Sequence, residues 1–277
     1  MKNILVPTDF SDCARAAEDI GLEIAKKANA EIHFLHIINT PVDWVNLSLK
    51  KESLYPETKE EIGLAKYELN ELVRRAEKMG LKVKQFLVFN KGRVEIDEHI
   101  KHHNHDFVVM GSHGTEGFRE ITGSNTQKVV RHSPAPVLVI KKKSKKFEVK
   151  NIVFASNFEE DVHKAFHKII EFADLINAQI HLLYVNMPSQ FKETDDAEAN
   201  MNAFLKRCPR GNCSINIFNA LNEERGIKKF AETIHADLIA ITTHGNTGLI
   251  KMISPGITES LVNHSDIPIL SVNINNQ

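Results

Sequence analysis

The chain has 277 residues, of which 42% are hydrophobic and 26% are charged, and its formal net charge at pH 7 is -1. This length suits one large or two ordinary domains, and the composition is typical of a packed globular protein. The near-zero net charge gives no overall attraction to nucleic acid or to an anionic membrane, so we expect neither as a partner. No apolar stretch is long enough to span a bilayer, and Asp9 and Asp12 come too early for a secretory signal. With three cysteines and no disulfide framework, the expected location is the cytoplasm.

The predicted elements of the first part of the chain alternate between short apolar runs and helical patterns. This alternation is typical of βαβ units and predicts an α/β fold with a parallel sheet covered on both faces. The predicted strands cover residues 4–7, 32–38, 82–89, 107–110 and 137–141, and the predicted helices cover 12–29, 62–80, 94–103 and 126–132. Ser11 or Asp12 is expected to cap the first helix. The segment 40–57, which holds two prolines and Trp44, is predicted to be a loop or lid.

The same pattern then occurs a second time. KNILVPTDF near the start matches KNIVFASNF, which begins at Lys150, and AEIHFLHII matches AQIHLLYVN, which begins at Ala178. Near the end of each copy, VVRHSPAPVLVIK matches LVNHSDIPILSVN. The repeated unit is a whole domain, so we expect two domains at residues 1–143 and 148–277. The lysine-rich KKKSKKFEVK between them is interpreted as a solvated linker, with a basic docking patch as the alternative.

The stretch GSHGTEGFREITGSN, residues 111–125, follows the fourth predicted strand and holds four glycines. Each glycine costs entropy on folding, so either the turn needs unusual backbone angles or something approaches the backbone closely. In an open parallel sheet, ligands bind in the crevice at the carboxyl ends of the strands, where this stretch should meet Pro7, Thr8 and Asp9. Main-chain amides and a helix N-terminus there would suit phosphates, and Asp9 would accept hydrogen bonds from a ribose. The alternative is that the glycines only form a sharp turn.

Several motifs together make the chain resemble a tandem universal stress protein: the opening VPTDFSD, the strand LHII, the GSHG turn and GSNT before the last helix of the first half. The resemblance covers both halves. It implies two three-layer sandwiches with open, mainly parallel five-stranded sheets, related to the adenine nucleotide alpha hydrolases. Many members of this family bind ATP through G-x-x-G, a gap of nine residues and G-[ST].

The resemblance implies a nucleotide site in the first half, with ATP as the cofactor, ADP or AMP as alternatives, and Mg²⁺ if a triphosphate is bound. The implied contacts are Pro7, Thr8 and Asp9 with adenine and ribose, Ile37 or Ile38 with adenine, Met110 and Gly111 beside the ribose, Ser112 and His113 in the turn, and Gly114, Gly123, Ser124, Asn125 and Thr126 with phosphates. The gap between Gly114 and Gly123 is eight residues, one short of the family pattern, which leaves the choice of nucleotide open.

The second half departs further from the pattern. Asn157 stands in place of the carboxylate, Thr242 in place of the first glycine, and Pro255 in place of a phosphate-binding glycine. Proline has no N–H to donate to a phosphate. We therefore expect the second half to be a structural partner rather than an equivalent nucleotide site.

Histidines and cysteines offer weaker candidates. In EHIKHHNHDF, His99 shares a helix face with His102 or His103, so two imidazoles could hold a metal; we favour instead a polar helix end exposed to solvent. The cysteine pair of CPRGNC does not support a zinc site, and Cys13 is expected to pack.

The last strands of the two halves, at residues 137–141 and 267–272, are expected to pair within the chain, as they do across the dimer in the resembling family. Such an intrachain pseudo-dimer would cover an exposed sheet edge, and further homodimerisation is left open. The function implied is a stress-response module in which nucleotide occupancy orders the lid and changes a surface read by an unknown protein partner. The alternatives are a slow ATPase or nucleotide hydrolase, and a protein-interaction scaffold that binds no nucleotide.

Overall fold

Ten strands form a single sheet in the order β3-β2-β1-β4-β5-β10-β9-β6-β7-β8. The computed structural model describes residues 1–90, 96–112, 124–141, 147–158, 162–207, 213–243 and 255–274. The strands are β1 Asn3–Pro7, β2 Glu31–Asn39, β3 Val83–Asn90, β4 Phe107–Gly111, β5 Val137–Ile140, β6 Asn151–Ala155, β7 Gln179–Asn186, β8 Cys213–Asn219, β9 Leu238–Thr243 and β10 Ile269–Asn273. Strands β1 to β5 and β6 to β10 have the same order within each half, so the sequence repeat is also a structural repeat.

Helices cover both faces of this sheet. They are α1 Asp12–Ala28, α2 Leu49–Glu52, α3 Pro56–Lys78, α4 Ile96–His102, α5 Ser124–His132, α6 His163–Ile176, α7 Thr194–Arg207, α8 Glu223–Thr233 and α9 Pro255–His264. One apolar core contains buried residues of α1, α3, α6 and α7, and the core on the opposite face contains those of α4, α5, α8 and α9. Both cores extend across the two halves, as expected of a three-layer α/β fold.

The halves meet at the only antiparallel pair in the described sheet, where β5 lies beside β10. Val139 pairs with Ile269, and Leu138 pairs with Leu270. The predicted pairing of the two last strands within one chain is therefore confirmed, and it joins the two five-stranded sheets into one of ten strands. Each sheet edge at this junction is covered by the other half.

Local signals in the sequence account for where α1 begins and for where α1 and its counterpart α6 end. The Ser11 hydroxyl accepts a hydrogen bond from the N–H of Ala14, so the predicted cap of α1 is confirmed. Asn29 ends α1 with a φ of 50°, and Asn177 ends α6 with a φ of 57°. Asparagine tolerates this left-handed conformation better than most residues, which explains its use at both ends.

Two predictions about the segments between elements need correction. Segment 40–57 is not entirely a loop, because it contains α2 and the start of α3, and Trp44 packs beside Ile38. The lysine-rich segment is not solvated at its ends, since Lys141, Phe147 and Val149 are all buried. Residues 142–146 lie outside the described parts of the chain. Apolar contacts outweigh the polar composition at both places.

Candidate functional site

Strands β1 and β4 are neighbours in the middle of the first five strands, and the chain leaves them towards opposite edges of the sheet. They pair in parallel with Ile4 opposite Phe107 and Leu5 opposite Val108. From β1 the chain continues to β2 on one side, whereas from β4 it continues to β5 on the other. Ligands of open α/β sheets bind outside the carboxyl ends of the strands at such a reversal. The predicted site residues after β1 and β4 therefore come from neighbouring strands.

Thr8 anchors the turn that leaves β1. Its N–H donates to Leu35 O at 2.8 Å, and its hydroxyl donates to Glu18 Oε1 at 2.5 Å. Thr8 and Glu18 are both buried. Burial raises the pKa of Glu18, while the hydrogen bond from Thr8 and the charge of Arg75 act in the opposite direction. Glu18 is not among the residues predicted for the site, and its position on the buried face of α1 is the signal that the sequence offers for it.

The turn continues through Asp9 and Phe10. Asp9 Oδ1 accepts a hydrogen bond of 3.0 Å from the N–H of Ser11, which holds the carboxylate at the start of α1. Phe10 has a φ of 61°, and its ring stacks on His36 with centroids 4.6 Å apart. A bulky residue with positive φ is uncommon, so this turn is held by its surroundings. Half-buried Asp9 thus has a fixed position at the sheet edge.

Gly111 has a structural reason to be glycine. A Cβ atom there would lie 2.8 Å from the carbonyl carbon and oxygen of Cys13 and 2.9 Å from the nitrogen of Ala14. These are main-chain atoms of the first turn of α1, which cannot move away as a flexible side chain could. For this one glycine, close approach of the backbone explains the residue, and the approaching group is the protein itself.

The other predicted site residues are distributed around this edge. Ser112 is fully buried, and its N–H donates to Ile140 O at 3.0 Å. The Thr126 hydroxyl donates to Gly111 O at 3.4 Å, so it joins α5 to β4. The remaining placements are Pro7 as the last residue of β1, Met110 buried in β4, Ser124 and Asn125 in the first turn of α5, and His113, Gly114 and Gly123 outside the described residues.

The two isoleucines proposed for the adenine slot differ in their surroundings. Ile38 is fully buried and packs with Ile62 and Ala65 of α3. Ile37 is half-buried and packs against the core that contains α4 and α5. Successive strand residues point to opposite faces, so only one of the two can face a given ligand. Ile37, which is more accessible, is the better candidate.

Comparison with known proteins agrees with this arrangement. The model of the universal stress protein family matches residues 1–141 and 221–273. The chain belongs to the universal stress protein family. Universal stress protein Slr1230 of Synechocystis is 22% identical over 98% of this chain and 99% of its own length. Universal stress protein MJ0531 of Methanocaldococcus jannaschii is 30% identical over 52% of this chain and 84% of its own length. The crystal structure of a universal stress protein from Archaeoglobus fulgidus superposes with a TM-score of 0.75 at 21% identity, covering 98% of both chains.

The second half of this universal stress protein repeats the backbone of the β1 turn but not its chemistry. Phe158 has a φ of 59°, and its N–H donates to the Ser156 hydroxyl, as Phe10 donates to Thr8. At the end of β9, the hydroxyls of Thr242 and Thr243 have no hydrogen-bond partner among the residues described. At the position that corresponds to Asp9, the second half has the uncharged residue Asn157.

The histidine cluster differs from the expected exposed helix end. His102 and His103 are exposed, as predicted, but His105 is buried and His99 is half-buried. His99, His103 and His105 surround one another with ring centroids 4.3 to 5.9 Å apart. The prediction failed because the sheet brings His33 of β2 to this place, and its Nδ1 lies 2.7 Å from His105 Nε2.

Two further features bear on the expected cofactors and partners. Within the ranges that the structure describes, no group of three or more histidine, cysteine, aspartate or glutamate side chains is arranged to hold a metal ion. Among the described helices, none combines the length and apolar composition needed to cross a membrane. Cys13 is a free thiol, and Cys208 lies outside the described residues.

Proposed function

We propose that the first half binds an adenine nucleotide at the carboxyl ends of β1 and β4, and that occupancy changes how the protein meets a partner protein. The observation that carries this proposal is the reversal of chain direction between β1 and β4, which places Asp9 and Ser112 at neighbouring strand ends. Membership of the universal stress protein family supports a stress-response role. The two units would be residues 1–143 and 148–277.

Each part of the nucleotide would meet a different group at this edge. The Asp9 carboxylate, held by Ser11, would accept hydrogen bonds from the ribose hydroxyls. The adenine would contact Pro7, Thr8 and Ile37, with Ile38 behind them. The first turn of α5 would direct to the phosphates its N–H groups, which have no partner within a helix, and the positive end of the helix dipole. The full proposed set is Pro7, Thr8, Asp9, Ile37, Ile38, Met110, Gly111, Ser112, His113, Gly114, Gly123, Ser124, Asn125 and Thr126.

We propose ATP as the ligand, with ADP or AMP as alternatives, and Mg²⁺ accompanying a triphosphate. Binding rather than catalysis is favoured because the buried carboxylate nearest the turn, Glu18, is occupied by Thr8 and Arg75. A general base must reach the water or hydroxyl that it activates. Segment 40–57 would respond to the ligand, because Trp44 and Phe10 pack together with Ile38 at the same edge.

Calorimetric titration with ATP, ADP and AMP in the presence of Mg²⁺ tests the proposal. Asp9→Asn should weaken ATP binding by about tenfold or more, since it removes a charged acceptor of hydrogen bonds. Asp12→Asn is the matched control, because it makes the same charge change at an exposed residue nearby, the first residue of α1. A ligand present at about 100 times its dissociation constant should also add about 2.7 kcal/mol to the free energy of unfolding.

The rival functions give other results. A protein that binds none of these nucleotides at millimolar concentration would be a scaffold, and steady release of ADP in a timed assay would make it an ATPase. Equal effects of the two aspartate variants would remove Asp9 from the site. Hydrogen exchange of residues 40–57 with and without ATP tests the response of the lid, since the proposal requires slower exchange in the bound state.

A further inference from the structure

Lys141 is a buried lysine that follows directly after β5. Only 7% of the residue is exposed, and its Nζ has no hydrogen-bond partner in the described parts of the chain. Burying an ammonium group costs free energy unless an opposite charge or several acceptors replace its water. An unpaired buried amine therefore favours an anion that joins it in the functional state.

Among the described residues, no acidic group lies within hydrogen-bonding distance of this amine. Burial lowers the pKa of Lys141 to about 8, with a further decrease from Lys228 and opposing effects of Cys13 and Asp266. Asp266 is exposed, and Cys13 contacts the Lys141 main chain through a distance of 3.7 Å between Sγ and the carbonyl oxygen. A pKa of about 8 leaves the amine mostly protonated at neutral pH. It is therefore a buried positive charge.

The position of Lys141 is beside the proposed nucleotide site. The preceding residue, Ile140, pairs with Gly111 and accepts the hydrogen bond of Ser112. Neighbouring strands lie about 4.8 Å apart, so the Lys141 main chain is one strand spacing from Ser112, within reach of a four-carbon side chain. Gly111 and Ser112 are both residues of the proposed site.

The second half of the chain provides an internal comparison. In the matched segments VVRHSPAPVLVIK and LVNHSDIPILSVN, Lys141 corresponds to Asn273. Asn273 is also buried, but its amide is satisfied by a hydrogen bond of 2.8 Å from Nδ2 to Arg131 O. The unpaired cation thus occurs in the half that holds Asp9, and a neutral, paired residue occurs in the half that holds Asn157.

We propose that Lys141 binds the phosphate tail of the nucleotide and makes the first half select ligands by their negative charge. This inference rests on the proposed nucleotide site and adds a residue to it. The amine would donate to phosphate oxygens, and the buried position would strengthen the attraction by keeping water away. Affinity would then rise from adenosine to AMP to ATP.

The test measures binding of adenosine, ATP and inorganic tripolyphosphate to the full chain and to Lys141→Met, Lys141→Arg and the control Lys150→Met. Lys150 is exposed, so its variant corrects for the loss of one positive charge. We expect Lys141→Met to lower ATP affinity about ten- to a hundredfold, and adenosine affinity by no more than about twofold. Lys141→Arg should retain part of the ATP affinity. Without ligand, Lys141→Met should be at least as stable to urea as the wild type, because it removes an unpaired buried charge.

Three results would overturn the inference. They are unchanged ATP affinity in Lys141→Met, an equal loss for adenosine and ATP, and a large loss of stability without ligand, which would assign a structural role. If Lys141→Met leaves ATP affinity unchanged and slows the alkylation of Cys13, the amine would act on the Cys13 thiol instead of on a nucleotide. Tripolyphosphate separates this inference from the proposed function. Lys141-dependent binding of tripolyphosphate by a protein that ignores nucleotides would support the anion site alone, and binding of none of the three ligands would reject both.

Discussion

His33 Nδ1 and His105 Nε2 lie 2.7 Å apart and share one proton in a buried hydrogen bond. On its other side, His33 Nε2 lies 3.1 Å from Glu31 Oε1, and Lys84 holds the pKa of Glu31 below its usual value. The ionised Glu31 favours a proton on His33 Nε2, so His33 Nδ1 accepts from His105. His105 Nδ1 is left without a hydrogen-bond partner among the described residues. Adding a proton here would create a buried charge, which burial and the neighbouring histidines disfavour and the Ile100 backbone favours.

This arrangement predicts that acid destabilises the protein. Burial lowers the pKa of His99 to about 4 and that of His105 to about 3, and it also lowers the pKa of His33. These folded-state values lie below the ordinary value of about 6.5, so the free energy of unfolding is fully retained above about pH 6.5 and falls as the pH decreases towards 3. Each histidine that titrates should contribute a slope of up to about 1.4 kcal/mol per pH unit.

Urea denaturation between about pH 7 and pH 5 measures this slope. His105→Gln should flatten it, because the amide cannot take up a proton in this range. His167→Gln, at an exposed position of α6, is the control for the substitution itself. An identical slope in His105→Gln and in the wild type would show that the buried cluster does not control acid stability.

The sequence could predict only part of this cluster. His99, His102, His103 and His105 are visible as a run in one segment, and helical spacing predicts the contact between His99 and His103, whose ring centroids are 4.3 Å apart. His33 comes from β2, and its contact with the run depends on the order of strands in the sheet, which no local pattern contains. Burial of His105 likewise follows from contacts of β2 and β4 rather than from the polar composition of the segment.

The strands and helices themselves are more predictable, because the spacing of apolar residues that indicates each of them lies within a short stretch of sequence. All five strands of the first half occur where alternation of apolar runs and helices places them. Asp9 and Gly111 stand out in the sequence as candidate site residues, but the sequence does not show that Gly111 packs against Cys13, since that contact requires the packing of α1 on β4. Lys141 was read as part of a solvated linker, because a run of lysines does not reveal which one is buried.

The hydrogen bond between Thr8 and Glu18 should stabilise the β1 turn. Thr8→Val removes the donor and leaves a buried carboxylate short of one partner, so we expect a loss of about 1–3 kcal/mol in the free energy of unfolding at neutral pH. Because the folded-state pKa of Glu18 is raised, its neutral form favours folding, and the loss should shrink as the pH falls towards 4.5. In a double-mutant cycle, adding Glu18→Gln should recover part of the stability, and strict additivity would mean that the two side chains do not interact.

Alanine substitutions at Gly111 and Gly63 distinguish the effect of close packing on stability from the effect of helix propensity. Gly111→Ala places a Cβ against the main chain of Cys13 and Ala14, so we expect a loss of about 1–3 kcal/mol. Gly63 lies within α3, and a Cβ there would meet nothing within 4 Å. Gly63→Ala should therefore stabilise the protein by about 0.5–1 kcal/mol. Chemical denaturation measures both, and a tolerated Gly111→Ala would mean that α1 can move away from β4.

Phe107 of β4 and Phe172 of α6 stack across the boundary between the halves. Their ring centroids are 5.3 Å apart, the planes differ by 14°, and both side chains are buried. Phe172→Ala should lower the free energy of unfolding by about 3–5 kcal/mol, because it leaves a cavity in a core shared by both halves. Phe191→Ala, which changes a residue that is 67% exposed, should have an effect within about 0.5 kcal/mol.

The location of the single tryptophan makes this prediction selective. Trp44 lies in the first half, whereas Phe172 lies in the second, so its fluorescence reports on the half that does not carry the substitution. If the shared core makes the halves unfold together, Phe172→Ala should move the fluorescence transition and the far-ultraviolet circular dichroism transition to the same lower urea concentration. A fluorescence transition that stays in place while the circular dichroism signal separates into two steps would show that the halves unfold independently. In that case the stacking of Phe107 on Phe172 would not couple them.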